Sequence, residues 1–298
     1  MIPVSHCDLC YSTDFQPLFH IDRAQPEFDV VQCPSCGLIF QNPRFSDDEI
    51  QQFYDEGYYK GNNDFSYIDE RENFKGSGYV WNKRVSVLNN YLKVKDTEQK
   101  TFLDIGCSFG GFLKCAENAG FIPYGIDLSE YAVQYARDVL QLNNVLCGEF
   151  TKGMYPENFF DVVTLVEVIE HIKNPHETIK ELFRVLKPGG VLLLQTANMD
   201  GVQAKKAGKE YHYFLPGHLF YFSKKTLTRY LNDCGFTGIK VFHGVDFGLL
   251  PKLKKSAGTF KKWTDYKKWF SISFYHLKSK IHKGDFALTS SMVIYARK

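Results

Sequence analysis

Along residues 100–195, short apolar runs alternate with stretches in which apolar residues recur every third or fourth position. The first pattern marks strands and the second marks helices with one buried face. Together they predict strands at 101–105, 121–126, 145–147, 159–166 and 191–195, separated by helices at 111–119, 130–140 and 175–186. Ser129 and Ser223 stand where N-caps belong, and Gly120 where a helix C-cap belongs. Further on, a helix from Ser223 to Cys234, a strand at 236–241 and a last strand at 292–296 complete the set. Alternation of this kind predicts a doubly wound parallel α/β sheet with its ligand at the carboxyl ends of the strands.

Upstream, Ser46 and Glu49 form a capping box for a short helix through Tyr54, followed by Tyr58–Tyr59, a turn at 61–63 and a helix around 79–92. The aromatic residues here read equally as a lid over a ligand or as the core of a helical cap. The expected domains are 1–42, a linker or cap at 43–98, and the α/β domain at 99–298 with a helical insertion at 249–288.

The turn after the first strand carries Gly106, Ser108, Gly110 and Gly111, small residues that let a ligand approach the backbone before a helix N-terminus. Such a turn fits dinucleotides, S-adenosylmethionine or a purely structural crossover. Asp127 ends the second strand, 17 positions after Gly110, where a carboxylate accepts both hydroxyls of a ribose or merely caps a helix.

Cysteines change the picture at the N-terminus. Cys7-x-x-Cys10 and Cys33-x-x-Cys36-Gly37 match the spacing of a four-thiolate structural zinc ribbon, with two disulfides or a redox pair as the other reading. Cys107, Cys115, Cys147 and Cys234 lie in apolar surroundings and read as small hydrophobes. The 298 residues are 44% apolar and carry a net charge of +2, as in an ordinary globular protein. No run approaches the ~20 apolar residues that span a bilayer, and the first residues lack a signal-peptide pattern. The expected location is cytoplasmic, with peripheral membrane contact as an addition argued below.

The order Asp104-Ile-Gly106-Cys107-Ser108-Phe-Gly110, Gly125-Ile-Asp127, Gly148-Glu149-Phe150, a fourth strand ending in Glu-His, and Leu186-Lys-Pro-Gly-Gly190 resembles the class I S-adenosylmethionine-dependent methyltransferases. The resemblance covers roughly residues 75–298 and departs from the family at Ser108, where many members have glycine. It implies a seven-stranded Rossmann-like sheet of order 3-2-1-4-5-7-6 with the last strand antiparallel. It also implies that Asp104, Gly106, Cys107, Ser108 and Gly110 cradle the methionine part of the cofactor and that Asp127 with Leu128 holds the ribose. Glu149 and Phe150 would then meet the adenine, and Glu167 would floor the sulfonium site. A hydride-transfer reading fails because Gly106 and Gly110 do not form Gly-x-Gly-x-x-Gly.

The ribbon and Gln41-Asn-Pro-Arg44 are similar to a zinc-ribbon subset of that superfamily whose members include enzymes of natural-product and cell-surface glycan pathways. Its sugar C-methyltransferases carry a further C-terminal domain for which this chain is too short, so their residues are not transferred. For an oxygen acceptor a histidine is the economical base: His171 and His218 are the candidates, with Glu170 beside them and His212 third. Glu167-x-x-Glu170-His171 also looks like the metal-binding pattern of ubiquinone-pathway O-methyltransferases, which makes a divalent ion a further candidate.

Residues 249–288 are rich in lysine and aromatics near helical period. Three readings compete: a lid on the catalytic domain, an interfacial helix on an anionic membrane, or a nucleic-acid patch. The leading expectation is methyl transfer to a small-molecule or glycan acceptor, on oxygen. Its rivals are an RNA or protein methyltransferase with the ribbon as reader, disfavoured because the fourth strand lacks Asn/Asp-Pro-Pro-Tyr, and a non-catalytic nucleotide-binding scaffold.

Overall fold

A computed structural model of the protein describes residues 1–24, 26–46, 49–50, 69–92, 99–257, 260 and 262–298. The expected end of a helix at Tyr54, the Tyr58–Tyr59 pair and the 61–63 turn lie outside them, as does the part of the lid reading attached to those residues.

In chain order the strands are β1 (Gln16–Ile21), β2 (Phe28–Gln32), β3 (Ile39–Gln41), β4 (Lys100–Ile105), β5 (Phe121–Asp127), β6 (Val145–Cys147), β7 (Phe160–Val166), β8 (Leu186–Ala197), β9 (Phe220–Tyr221), β10 (Thr237–His243), β11 (His282–Lys283), β12 (Phe286–Ala287) and β13 (Ser291–Arg297). The main sheet runs β6-β5-β4-β7-β8-β13-β10. Its members are parallel except β13, which is antiparallel to both β8 and β10. This is the expected order 3-2-1-4-5-7-6 with the last strand reversed.

The period-2 geometry of strands sends alternate side chains to opposite faces. Leu103, Ile105, Val163, Leu165, Leu192, Leu194 and Ile294 pack on one face against helices Pro175–Val185 and Lys224–Asp233. Phe102, Val162, Val191, Leu193 and Val293 pack on the other against helices Phe74–Tyr91, Gly111–Asn118 and Glu130–Asp138. Each such buried side chain stabilises the fold by about 1.5–3 kcal/mol. A sheet covered on both sides can open its ligand site only at a strand end.

Two local expectations need correction. Lys187–Gly190 is not a turn between helix and strand but part of β8: Leu186 pairs with Phe160 and Val191 with Val162, so the extra residues bulge out. Gly189, at φ 80°, takes the left-handed conformation the bulge requires, and Lys187 ties to buried Asp161 at 2.7 Å. The helix at 130 ends at Asp138 rather than 140, because the Leu142 N–H turns back to the Ala136 carbonyl.

The N-terminal ribbon sheet is β1-β2-β3-β9, antiparallel throughout. Its fourth strand comes from residues 220–221, in the segment after β8. Leu9, Leu38 and Phe40 of the ribbon share one buried cluster with Phe220, Phe222 and Tyr230. The ribbon is therefore continuous with the core of the α/β domain. The insertion forms helices Leu249–Ala257 and Lys267–Ser279, a turn of 3-10 helix at Trp263–Tyr266 and the β11–β12 hairpin. Among the described residues no helix is long and apolar enough to cross a membrane.

Candidate active site

The carboxyl edge of the sheet has two halves. In the first, β4 runs into the turn 106–110 and helix Gly111–Asn118. The Gly106 and Cys107 N–H groups both donate to the Ile126 carbonyl, at 2.8 and 3.1 Å, and the Gly110 N–H closes the turn on the Cys107 carbonyl at 2.9 Å. Ser108, at φ 48°, occupies the left-handed region that would suit glycine. Its N–H donates to the Asp127 carboxylate at 2.7 Å, while the other Asp127 oxygen accepts the Ser129 N–H at 3.0 Å. Asp127 thus clamps the turn to the end of β5, each oxygen keeping acceptor capacity for a hydroxyl. The Ser108 Oγ is buried with no partner among the described residues.

Gly106 is needed because a Cβ there would lie 2.4 Å from Val168, which seats the turn against the end of β7. Gly110 takes the left-handed φ of 80° that the turn requires, and a Cβ there would also meet Leu142, in the segment after helix Glu130–Asp138, at 2.7 Å. Asp104 is buried beneath the turn and accepts the Thr164 hydroxyl at 2.5 Å; Cys107 is buried with it. Leu128 is exposed just past Asp127. The Gly148 N–H bonds to the Asp127 carbonyl and brings half-buried Phe150 and exposed Glu149, paired with Lys173 at 3.3 Å, to the same edge.

The sequence offered no signal for Arg71, held by Asp69, whose guanidinium lies 4.0 Å over the ring of Phe109 in the turn and donates to Tyr131 at 3.0 Å.

The second half is made of side chains from distant segments. Glu167 follows β7 at φ 57°, a conformation that costs a non-glycine residue energy and recurs at functional sites. Its exposed carboxylate accepts from Gln195 Nε2 at 2.8 Å and from the Tyr213 hydroxyl at 3.1 Å. The same hydroxyl contacts Glu170, whose carboxyl also accepts from Thr196 at 3.1 Å. Burial, and then the neighbouring charge of Glu167, pushes the fully buried Glu170 well above the usual carboxyl range.

Gln195 in turn accepts from Arg84 at 2.7 Å; Arg84 is paired with Asp246 at 3.2 Å, and Tyr295 donates to Asp246. Lys252, from the insertion, lies 5.6 Å over the Tyr275 ring, and burial, followed by the charge of Arg84, brings its ammonium down to about 8.

His171 donates through Nδ1 to the Gly217 carbonyl at 2.8 Å, and His218 through Nδ1 to the Tyr213 carbonyl at 2.7 Å. A carbonyl only accepts, which assigns the Nδ1–H tautomer to both rings. The rings stand 4.6 Å apart, and His218 lies 4.3 Å from the Tyr213 ring. Burial lowers His171 to about 4 and, joined by His171, takes His218 well below its ordinary value. Ligand atoms of Glu170, His171 and His218 lie within 4.8 Å of one another. Glu167, which the Glu-x-x-Glu-His pattern placed with Glu170 and His171, stands outside that cluster, and His218 takes its place. His212 is exposed beside Tyr211 and does not join it.

In the ribbon, the four sulfurs of Cys7, Cys10, Cys33 and Cys36 also lie within 4.8 Å of one another, with Cys7–Cys36 and Cys10–Cys33 at 3.5 Å. None is in a disulfide. Tetrahedral Zn–S bonds of about 2.3 Å place sulfurs about 3.8 Å apart, so the cluster fits zinc. Burial raises the Cys33 thiol, but hydrogen bonds from the Cys36 N–H and from Cys10 outweigh it and bring the group to about 7.

Ribbon and site are joined directly. Asp8 accepts the His176 N–H at 3.0 Å and the Tyr230 hydroxyl at 2.8 Å. Arg23 donates to the carbonyls of Tyr211 and Phe214, Gln41 to Pro216, and Arg44 to Lys173. Those of Arg23 and Gln41 brace the 211–218 segment that carries Tyr213 and His218.

Residues 81–241 match the family model described as a methyltransferase domain. Over 123 residues the chain is 32% identical to the ubiquinone biosynthesis O-methyltransferase of Coxiella burnetii, covering 38% of this chain and 53% of that protein. It is 28% identical over 214 residues to phosphoethanolamine N-methyltransferase 3 of Arabidopsis thaliana, covering 62% of this chain and 43% of that protein. The chain thus spans about half the length of the curated relatives it matches. Among solved structures, phosphoethanolamine N-methyltransferase 2 of Haemonchus contortus, in complex with S-adenosyl-L-methionine, aligns with a TM-score of 0.51 at 18% identity, covering 87% of this chain and 61% of that one. That likeness is one of fold.

Proposed function

The chain belongs to the methyltransferase-domain family, and from that premise we propose that it transfers the methyl group of S-adenosylmethionine to an oxygen of a small-molecule or glycan acceptor. The observation that carries the donor is the turn 106–110, clamped by Asp127 and carrying the buried Ser108 Oγ, which has no partner among the described residues. A donor seated there supplies an electrophilic methyl on a sulfonium. Asp127 would accept the ribose hydroxyls, Leu128, Glu149 and Phe150 would border the adenine, and Glu167 would stand beside the methyl.

Methyl transfer is an in-line displacement, so the chain's main contribution is to place the acceptor and keep water from it. An oxygen acceptor must also lose its proton. Access separates the candidate bases: Glu170 and His218 are buried and His171 is half-buried, whereas the Glu167 carboxylate is exposed at the strand end. On this reading Glu167 receives the proton. The Tyr213 hydroxyl lies within donating distance of both the Glu170 and the Glu167 carboxyl groups, and burial favours the uncharged form of Glu170. Tyr213, Glu170, His171 and His218 are then positioning residues.

The four thiolates would hold one structural zinc whose service to the reaction is to brace the 211–218 segment. A second reading rests on the approach of Glu170, His171 and His218: a divalent ion held by those three would polarise a hydroxyl acceptor.

Calorimetry with S-adenosylmethionine and its demethylated product tests the donor; absence of heat with both would end the proposal. Glu167→Gln should lower kcat at least tenfold with donor affinity unchanged, consistent with a 10²–10⁴-fold role for a base. Activity that survives strong chelation while the ribbon keeps its metal removes the divalent-ion reading. Methylation of RNA or protein in preference to small hydroxyl compounds would replace the acceptor class.

A further inference from the structure

The helical insertion has an inner side and an outer side of opposite character. Inside, Trp269 donates to the Ser256 hydroxyl at 2.9 Å, Ser279 is buried, and Tyr275 packs under Lys252. Outside, Trp263, Tyr266, Phe270, Phe274, Leu277 and Ile281 recur at steps of three and four residues, and every one is exposed, Trp263 at 86% and Phe270 at 79%. An amphipathic helix ordinarily turns such a stripe inward. Here a continuous apolar stripe faces outward, a feature of surfaces that meet a membrane or a partner.

The lysines around the stripe decide which. At about 100° per residue along helix Lys267–Ser279 and its C-cap, Lys267 and Lys278 fall on one flank and Lys280 on the other, each within about 60–80° of its centre. Lys278 leans over the Phe274 ring at 4.3 Å, cation against aromatic face. Asp265, at the edge, is taken up by the Lys262 N–H and by Lys268 at 3.8 Å. A duplex offers phosphates to the centre of a contact, whereas here the centre is apolar and the cations rim it. A rim of ammonium groups around an aromatic and aliphatic stripe fits the boundary between acidic headgroups and acyl chains.

We propose that the outward stripe from Trp263 to Ile281 seats the protein on the surface of a bilayer containing anionic phospholipids, with its lysine flanks in the headgroup layer. The seat is peripheral, and it depends on neither donor nor acceptor.

The test is co-sedimentation of the full chain with vesicles of phosphatidylcholine alone and of phosphatidylcholine mixed with phosphatidylglycerol, together with tryptophan fluorescence. Binding to the mixed vesicles, a blue shift of emission and little binding to phosphatidylcholine alone are expected. Phe270→Ser with Phe274→Ser should weaken binding by about tenfold or more without changing Tm, because both rings are exposed. Lys267→Gln with Lys278→Gln should remove the preference for the anionic vesicles. No sedimentation with either vesicle, unchanged binding by the phenylalanine variant, binding to RNA instead, or a dimer in sedimentation velocity that the phenylalanine variant dissolves would each overturn the proposal.

Discussion

The two halves of the sheet's carboxyl edge are built in opposite ways. The donor half is assembled from consecutive residues: the turn 106–110 is closed by its own N–H groups and pinned by one carboxylate from the next strand. The other half is assembled from Arg84, Glu167, Glu170, Gln195, Tyr213 and Asp246, which share no local motif and are linked side chain to side chain, with His218 held on the Tyr213 carbonyl. Backbone closure makes the first half robust to neighbouring change. A relay of side chains makes the second half sensitive to any one member, and it needs the ribbon as an outer brace.

The largest effect that separates the halves is expected from the ribbon. Cys33→Ser should take bound metal from one equivalent to none and, since such modules draw on the order of 10 kcal/mol from the ion, unfold residues 1–42. Loss of turnover with donor binding retained, by metal analysis and calorimetry, would confirm that the brace serves the acceptor half alone; full turnover with an unfolded ribbon would break the comparison.

Asp127→Ala is the counterpart on the donor side. Charge-assisted bonds are worth about 1.5–3 kcal/mol each, so losing two should weaken donor binding by roughly 100-fold or more, while the ribbon keeps its metal. Tight binding by this variant would mean the turn alone holds the ligand. Tyr213→Phe probes the relay: stranding the Glu170 carboxyl should cost about 1–3 kcal/mol, read as a 10- to 100-fold fall in kcat with donor affinity within about twofold of the parent. A change in donor affinity instead would show that the two halves are coupled.

A pH scan reaches the rim where the insertion leaves β10. Burial, followed by the charges of His282 and Lys224, lowers His243 to about 4, against ~6.5 for an unfolded histidine. Between those values the unfolded chain binds the proton and the folded chain does not. The His243 contribution to stability is therefore complete above pH ~6.5 and falls by about 3 kcal/mol as pH drops to ~4. Urea denaturation should show that slope in the parent and a flatter one in His243→Gln. The smallest effect belongs to Lys173→Ala: its pair with the exposed Glu149 should contribute about 0.5 kcal/mol or less, and a larger loss would place Lys173 in the site.

Much of the turn at 106–110 and its surroundings was legible before any coordinates. The Gly-rich turn, the acidic end of the second strand and the spacing of the cysteines are short-range patterns, and backbone geometry converts them directly into structure. The order of the seven strands followed from the alternation of elements together with the family resemblance. Gly110 shows the division: its left-handed φ of 80° is what a turn glycine promises, whereas its closeness to Leu142 exists only once the segment after helix Glu130–Asp138 packs on the turn. Likewise Lys187–Gly190 reads as a turn in the chain and becomes a bulge only through pairing with β7.

By itself, then, the chain determined its elements, its topology, the donor turn and the cluster of thiols, since each depends on residues close in sequence or on periodicity. Folding alone revealed that β9 completes the ribbon sheet, that Tyr213 joins Glu167 to Glu170, that His218 comes within 4.8 Å of Glu170 and His171, and that the aromatic stripe of the insertion faces outward. Those features arise where segments far apart in the chain meet, and an apolar period records that a face will be covered without recording by what.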